Sequence, residues 1–154
     1  MEKPVVLSVV GQTASGKSAL AVSLAEHIRD ERIGGYLGAE IISADSRQVY
    51  RGLDIGSGKV TEEEMRGIPH HLLDVADPRE RFSVAAYRDL ATEAIREAGA
   101  RNAVPILCGG TGLYLAAVLC GVTFPPVPPN EELRKKLAEC SQDELGRRLS
   151  ALDP

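Results

Sequence analysis

An α/β fold in three layers, with helices on both faces of a parallel sheet, is what this sequence predicts. Three observations carry the prediction. Short apolar runs alternate with longer amphipathic stretches, a glycine-rich loop directly follows the first run, and the later runs end in polar residues where a parallel sheet binds its ligands. Residues 4–10 (Pro-Val-Val-Leu-Ser-Val-Val) form a continuous apolar run, expected to be a strand buried on both faces. A helix is expected from Lys17 to about Asp30, with Leu20, Leu24, His27 and Ile28 on one face and Gly34-Gly35 closing the segment. Ala39 to Ala44 reads as a second strand ending at Asp45-Ser46, and His71 to Val75 as a third ending at Asp77-Pro78. Ser83 is placed to cap a helix from Val84 to Ala98, with Gly99 as its stop. Val104 to Cys108 gives another buried strand, and Gly109-Gly110-Thr111-Gly112 leads into a helix from Leu113 to about Cys120. Pro125-Pro126-Val127-Pro128-Pro129 then breaks the alternation, dividing a core at 1–124 from a segment at 125–154. That segment holds one helix capped by Asn130 and running to about Glu139, and another from Asp143 to Leu152.

Composition narrows the function classes. The 154 residues are 44% hydrophobic and 26% charged, the balance of a globular domain with a real core. A net charge of −4 supplies no whole-chain attraction to nucleic acid, so a polynucleotide contact would need a local patch. Cys108, Cys120 and Cys140 fit neither a disulfide framework nor a zinc pair and are expected to be reduced and mostly buried. His70 and His71 lack partners at ligand spacing, and adjacent residues of a strand point to opposite sides, so no metal site is expected there. Neither a leader nor a membrane span is visible in the chain, which is expected to be soluble and cytoplasmic.

The chemistry starts at Gly11-Gln12-Thr13-Ala14-Ser15-Gly16-Lys17-Ser18. Its glycines permit a turn tight enough for successive amides to converge on an anion, and the following helix adds the positive end of its dipole. Lys17 brings a point charge for phosphate oxygens, and the Ser18 hydroxyl is suited to Mg2+. Together with the strand before it, this loop makes the predicted fold P-loop NTPase-like. Asp45, at the next strand end, could hold Mg2+ in a phosphate-binding enzyme or serve as a plain turn residue. Ser46 and Gln48 are suited to hydrogen bonding a base, and Arg47 and Arg51 to meeting phosphates; a solvated polar turn is the alternative.

Five blocks occur in order: Gly11-x-Thr13-Ala14-Ser15-Gly16-Lys17-Ser18; Asp45-Ser46-x-Gln48-Val49-Tyr50-x-Gly52-Leu53-Asp54-Ile55-Gly56; Pro69-His70-His71-Leu72-Leu73-Asp74; Phe82-Ser83-Val84; and Gly109-Gly110-Thr111-Gly112-Leu113-Tyr114. Together they resemble the tRNA dimethylallyltransferases, also called tRNA isopentenyltransferases, from about Val5 to the end of the chain. The resemblance implies transfer of a dimethylallyl group from dimethylallyl diphosphate to the exocyclic amine of the adenine beside the tRNA anticodon. It implies Gly11–Ser18 as the diphosphate cradle, with Lys17, Thr13 and Ser18-bound Mg2+ at the leaving group, and Asp45 as general base. It also implies a tRNA contact set of Asp45, Ser46, Arg47, Gln48, Thr111 and Arg134. The tRNA anticodon stem-loop and dimethylallyl diphosphate are the implied partners, and a monomer is expected. Tyr50 and Tyr114 are expected to pack and stack.

Two departures stand out. Gln12 occupies a position where the family usually has proline, which leaves every loop amide a donor and adds one. The chain also stops at roughly half the family's usual length, so the remaining strands, the arginine-bearing segments that close over the diphosphate and the helical region that grips the anticodon stem-loop are expected to be missing. An adenylate isopentenyltransferase, a P-loop kinase for a small metabolite and a non-catalytic nucleotide-binding fragment remain as alternatives.

Overall fold

A computed structural model describes residues 5–122, 124 and 127–153. Pro4 at the start of the first apolar run, Pro125-Pro126 of the proline-rich segment and the terminal Pro154 lie outside the described residues. The chain divides into two compact units, 1–123 and 124–154.

Four parallel strands build the sheet of the first unit: β1 (Leu7–Val10), β2 (Gly38–Ser43), β3 (His70–His71) and β4 (Ala103–Gly109), in the order β1-β4-β2-β3. β4 sits between β1 and β2, pairing Ile106 with Leu7 on one side and with Ile41 on the other. The connection β1 to β2 carries α1 (Lys17–Glu31) and runs one way across the sheet. The connection β3 to β4 carries α3 (Val84–Ala100) and runs the other way. Right-handed crossovers in opposite directions require helices on opposite faces.

The packing follows that rule. Ala39 and Ile41 of β2 and Val104, Ile106 and Cys108 of β4 pack on Ala21, Val22, Ala25 and Ile28 of α1. Their alternates, Ile42, Ala44 and Leu107, pack on the other face with Tyr87, Ala91 and Ile95 of α3 and Tyr114 of α4 (Gly112–Leu119). The period of two along β2 and β4 therefore produces two cores and three layers. The direction reversal places a crevice at the carboxyl ends of β1, β4 and β2, where such sheets bind ligands.

Several elements differ from the sequence expectation, each for a physical reason. β1 is an edge strand whose exposure alternates: Leu7 and Val9 pack toward α1, while Val10 is 58% exposed, so the run is not buried on both faces. The buried stripe of α1 is Ala21, Val22, Ala25 and Ile28 rather than one centred on Leu20 and His27, both of which are exposed. Small alanines there let the helix approach the sheet closely. β3 ends after two residues because Leu72 and Asp74 take positive φ (64° and 56°), which no strand accommodates. α3 runs through Gly99, and the left-handed turn falls instead at Asn102 (φ 55°), a residue type that tolerates it. A short helix α2 (Glu62–Met65) was not anticipated, although Thr61 and Glu64 form a reciprocal capping box. Of the cysteines, Cys108 is buried but Cys120 is exposed and Cys140 half-buried, so mostly buried thiols is not the pattern.

The second unit contains α5 (Glu131–Ala138) and α6 (Gln142–Leu152), capped by Asn130 and Ser141. Arg147 and Arg148 of α6 both pair with Glu144.

Candidate functional site

Among the described residues, four of the six α-helices start with a side-chain cap, from Thr61, Ser83, Asn130 and Ser141; α1 and α4 do not. These two begin in the loops after β1 and β4, at the crevice. The N-cap of α1 is Gly16 at φ 81°, which has no side chain to offer, so the amides of its first turn remain available to an anion. The bend into the helix also puts Ala14 at φ 62°. Lys17 folds its ammonium back to the Gln12 carbonyl at 2.9 Å, so the charge lies over the loop rather than out in solvent. Ser18 follows it in the first turn of α1.

At α4 the missing cap has another cause. Thr111 Oγ1 accepts from the Ser46 amide at 3.0 Å, and the Thr111 amide donates to the Ala44 carbonyl at 3.1 Å. The two bonds grip the backbone on either side of Asp45. Asp45 Oδ1 in turn accepts from the amides of Arg47 (2.8 Å) and Gln48 (3.4 Å), closing a turn at the end of β2. Asp45 therefore fills the structural role of a turn residue and still lines the cleft of the phosphate loop.

Two glycines of β4 and its loop allow this convergence. A Cβ on Gly109 would sit 2.2 Å from the Ala44 carbonyl oxygen, and one on Gly110 would sit 2.8 Å from that of Gly11. Backbone takes the place of side chain at both points. Beneath them the Tyr87 hydroxyl, fully buried, donates to the Ser43 carbonyl at 3.0 Å, and its ring stacks on Tyr114 with centroids 3.8 Å apart. Burial holds the Tyr87 phenol well above its ordinary pKa, so it remains a donor.

The resulting cleft has a volume of about 310 Å³ and is lined by Thr13 to Ala19, Asp45, Gln48, Ser57, Gly58, Cys108 and Gly109. It thus brings together most of the expected cradle with Asp45 and Gln48. Gln48 receives the Ser43 hydroxyl on Oε1 at 3.3 Å and donates from Nε2 to the Gly58 carbonyl at 3.1 Å. Burial raises the Cys108 thiol pKa against the opposing charge of Lys17, which makes it a wall rather than a nucleophile. Ser57, Gly58 and Cys108 were not anticipated as lining residues; Gly56-Ser57-Gly58 offered a turn signal, but nothing local said where it would fold back.

Other residues fall elsewhere. Ser46 binds Thr111, and Arg47 is exposed beside the cleft mouth. Arg51 is exposed, and its guanidinium donates to the carbonyls of Asp74 (2.8 Å) and Val75 (3.2 Å). Arg134 lies in α5 of the second unit, and is exposed. The histidines have structural partners. His70 Nδ1 donates to the Ile68 carbonyl at 2.8 Å, and His71 Nε2 lies 2.6 Å from Glu40 Oε2. Buried Glu40 also takes a two-pronged contact from Arg101, whose hydrogen bonds hold its carboxyl below the usual range despite burial.

The chain is similar to known proteins in both sequence and fold. A family model described as IPP transferase matches residues 48–154. The tRNA dimethylallyltransferase of Roseiflexus sp. (strain RS-1) is 47% identical over 152 residues, covering 96% of this chain and 47% of that protein. That of Anoxybacillus flavithermus is 45% identical over 153 residues, covering 99% of this chain and 46% of that protein. Among solved structures, the full-length tRNA isopentenylpyrophosphate transferase from Bacillus halodurans superposes with a TM-score of 0.73 at 42% identity, covering 99% of this chain and 48% of that one. A eukaryotic dimethylallyltransferase acting on tRNA gives 0.80 at 26% identity, covering 99% and 36%. The family model starts at Gln48, after the phosphate loop, whereas these relatives align over nearly the whole chain. The chain spans about half the length of the curated relatives it matches.

Proposed function

This chain belongs to the IPP transferase family, and from that premise we propose that it carries the donor-binding and base-bearing part of a tRNA dimethylallyltransferase. The reaction is transfer of a dimethylallyl group from dimethylallyl diphosphate to the exocyclic amine of an adenine in tRNA. The observation that carries the reading is the shared cleft, which the phosphate loop Thr13–Ser18 and Asp45 line together. In this reading the uncapped first turn of α1 and the Lys17 ammonium hold the diphosphate. Thr13 sits in the same loop, beside the donor.

Asp45 is the base. Its Oδ1 is committed to the Arg47 and Gln48 amides, which leaves Oδ2 to take the proton as the adenine nitrogen bonds to the allylic carbon. The carbon–oxygen bond breaks in the same step, and its electron pair leaves on diphosphate beside Lys17. An aromatic amine is a weak nucleophile, so the fixed position of Asp45 between the two Thr111 bonds supplies orientation. Ser18 Oγ is a hard oxygen donor lining the cleft, the kind Mg2+ selects, and it would hold the ion beside the diphosphate. When bound, Mg2+ neutralises charge on the leaving diphosphate.

In this reading Ser46, Arg47, Gln48 and Thr111 contact the flipped-out base and its neighbours, and Arg134 contacts the tRNA. Among the described residues no helix is long and apolar enough to cross a membrane, and action on tRNA would place the protein in the cytoplasm. The names of the relatives favour tRNA over a free nucleotide as acceptor.

The test is incubation with dimethylallyl diphosphate, Mg2+ and an adenine-containing anticodon stem-loop, for the chain alone and joined to the carboxyl-terminal half of a relative. Prenylated RNA is expected, with a loss of at least about a hundredfold in Asp45→Ala. Undiminished product from Asp45→Ala would remove Asp45 as the base.

A further inference from the structure

Lys59 has no part in the chemistry above, yet its side chain is only 6% exposed. Its ammonium meets three oxygens: Asp54 Oδ1 at 2.6 Å, Asp74 Oδ1 at 2.5 Å and the Tyr50 carbonyl at 2.9 Å. Three donors meet three acceptors, so the group is fully satisfied. Burial acts to depress its pKa, but the hydrogen bonds and charges of Asp54 and Asp74 outweigh that and hold it above the ordinary lysine value. The partners come from separate stretches. Tyr50 follows β2, Asp54 lies in the turn Leu53–Gly58, and Asp74 follows β3.

That turn has little else to fix it to the body of the protein. Its apolar side chains face solvent, Leu53 at 44% exposure and Ile55 at 100%, so burial does not hold it down. Within the turn, the Ser57 hydroxyl donates to the Leu53 and Asp54 carbonyls, the Gly58 amide to Ile55 and the Lys59 amide to Asp54. These bonds shape the turn without anchoring it. Among the described residues, its bonds to the rest of the unit are those of Lys59 to Asp74 and Tyr50, and that of Gly58 to Gln48.

The turn forms part of the phosphate-loop cleft through Ser57 and Gly58. The Gly58 carbonyl can only accept, so its 3.1 Å contact decides which end of the Gln48 carboxamide carries the nitrogen; Oε1 then faces Ser43. We infer that Lys59 is a positioning residue of this cleft: by tying Asp54 to Asp74 and Tyr50, it holds the Ser57–Gly58 wall beside the phosphate loop and fixes the direction of the Gln48 carboxamide. The inference deepens the transfer-site reading and rests on it for its functional meaning. With one N–H committed to Gly58, Gln48 presents its remaining N–H and its oxygen in a set order, the pairing a carboxamide needs on an adenine edge.

The test compares the parent chain with Lys59→Met and Asp54→Ala. Asp54 is a 64% exposed partner, so its loss leaves Lys59 paired with Asp74 and the fold intact by circular dichroism. Two quantities are measured: hydrogen exchange of the Gln48 side-chain amide by nitrogen-15 NMR, and calorimetric affinity for inorganic pyrophosphate with Mg2+. Both variants are expected to speed Gln48 exchange and to weaken pyrophosphate binding by about threefold to tenfold, the worth of a hydrogen bond, with Lys59→Met the larger effect. Unchanged Gln48 exchange in a folded variant overturns the inference, and if Lys59→Met does not fold, Asp54→Ala decides. If the parent chain fails to bind pyrophosphate, the phosphate-loop reading falls, and Gln48 exchange still decides the role of Lys59.

Discussion

Gly109→Ala tests how the site is assembled. The added Cβ would lie 2.2 Å from the Ala44 oxygen, 2.4 Å from its carbonyl carbon and 2.8 Å from its Cα, all backbone atoms that cannot swing aside. Restoring a 3.0 Å approach requires β4 and the end of β2 to part by about 0.8 Å. Such a shift would carry the 2.7 Å bond from the Ala44 amide to the Cys108 carbonyl to about 3.5 Å, the edge of hydrogen-bonding distance. Overpacking of this kind costs about 1–3 kcal/mol, and the weakened bond about 1 kcal/mol more. Asp45 is the next residue after Ala44, and a displacement near 1 Å at a reacting group costs about a hundredfold in rate. Urea denaturation followed by circular dichroism measures the first effect and prenyl transfer the second. Gly99→Ala is the control, because no atom lies within 4 Å of its Cβ and its φ is not positive; it should gain up to about 1 kcal/mol as a helix residue. A Gly109→Ala variant within about 0.5 kcal/mol of the parent would refute the argument.

Three further outcomes follow from the same network. Thr111→Val keeps the shape but removes the acceptor of the Ser46 amide; about 1 kcal/mol of stability should go in urea denaturation, with a larger fall in kcat than in donor affinity. Tyr87→Phe removes the buried hydroxyl that donates to Ser43, costing about 1–2 kcal/mol while leaving the stacked rings in place, as thermal unfolding would show. Acid should act in two stages. Burial lowers the His70 pKa from 6.5, so the unfolded chain binds the extra proton first and stability falls as pH drops below 6.5. Hydrogen bonds from Arg101 lower the Glu40 pKa from 4.5, so its contribution is present above 4.5 and is lost as pH falls through the lower folded value. His70→Asn, which can keep the bond to the Ile68 carbonyl, should abolish the first stage in denaturation midpoints measured across that range.

Local pattern made much of the framework legible. β4 is a continuous apolar run because both of its faces are covered, and the helix starts at Ser83 and Asn130 are set by side chains within one turn of the helix. What local pattern missed depends on distant partners. Thr111 and Ser46 are 65 positions apart, and Lys59 and Asp74 are 15 apart. β3 was overextended because Leu72 and Asp74 adopt left-handed backbone without glycine, so composition gave no warning. The α1 stripe was misplaced because two of its four buried residues, Ala21 and Ala25, are alanines, which score weakly as apolar. The phosphate loop and Asp45 were legible as types of residue; the convergence that makes them one cleft depends on the backbone contacts at Gly109 and Gly110.

The most direct measurement follows two labels at once. The chain joined to the carboxyl-terminal half of a relative is given carbon-labelled dimethylallyl diphosphate, phosphorus-labelled ATP, Mg2+ and an anticodon stem-loop. Carbon label on the adenine amine, with none of the phosphorus, is the predicted result, since Gly11–Ser18 then serves to hold a leaving diphosphate. Phosphorus label transferred to an acceptor, or carbon label absent from RNA while the diphosphate still binds, would contradict it.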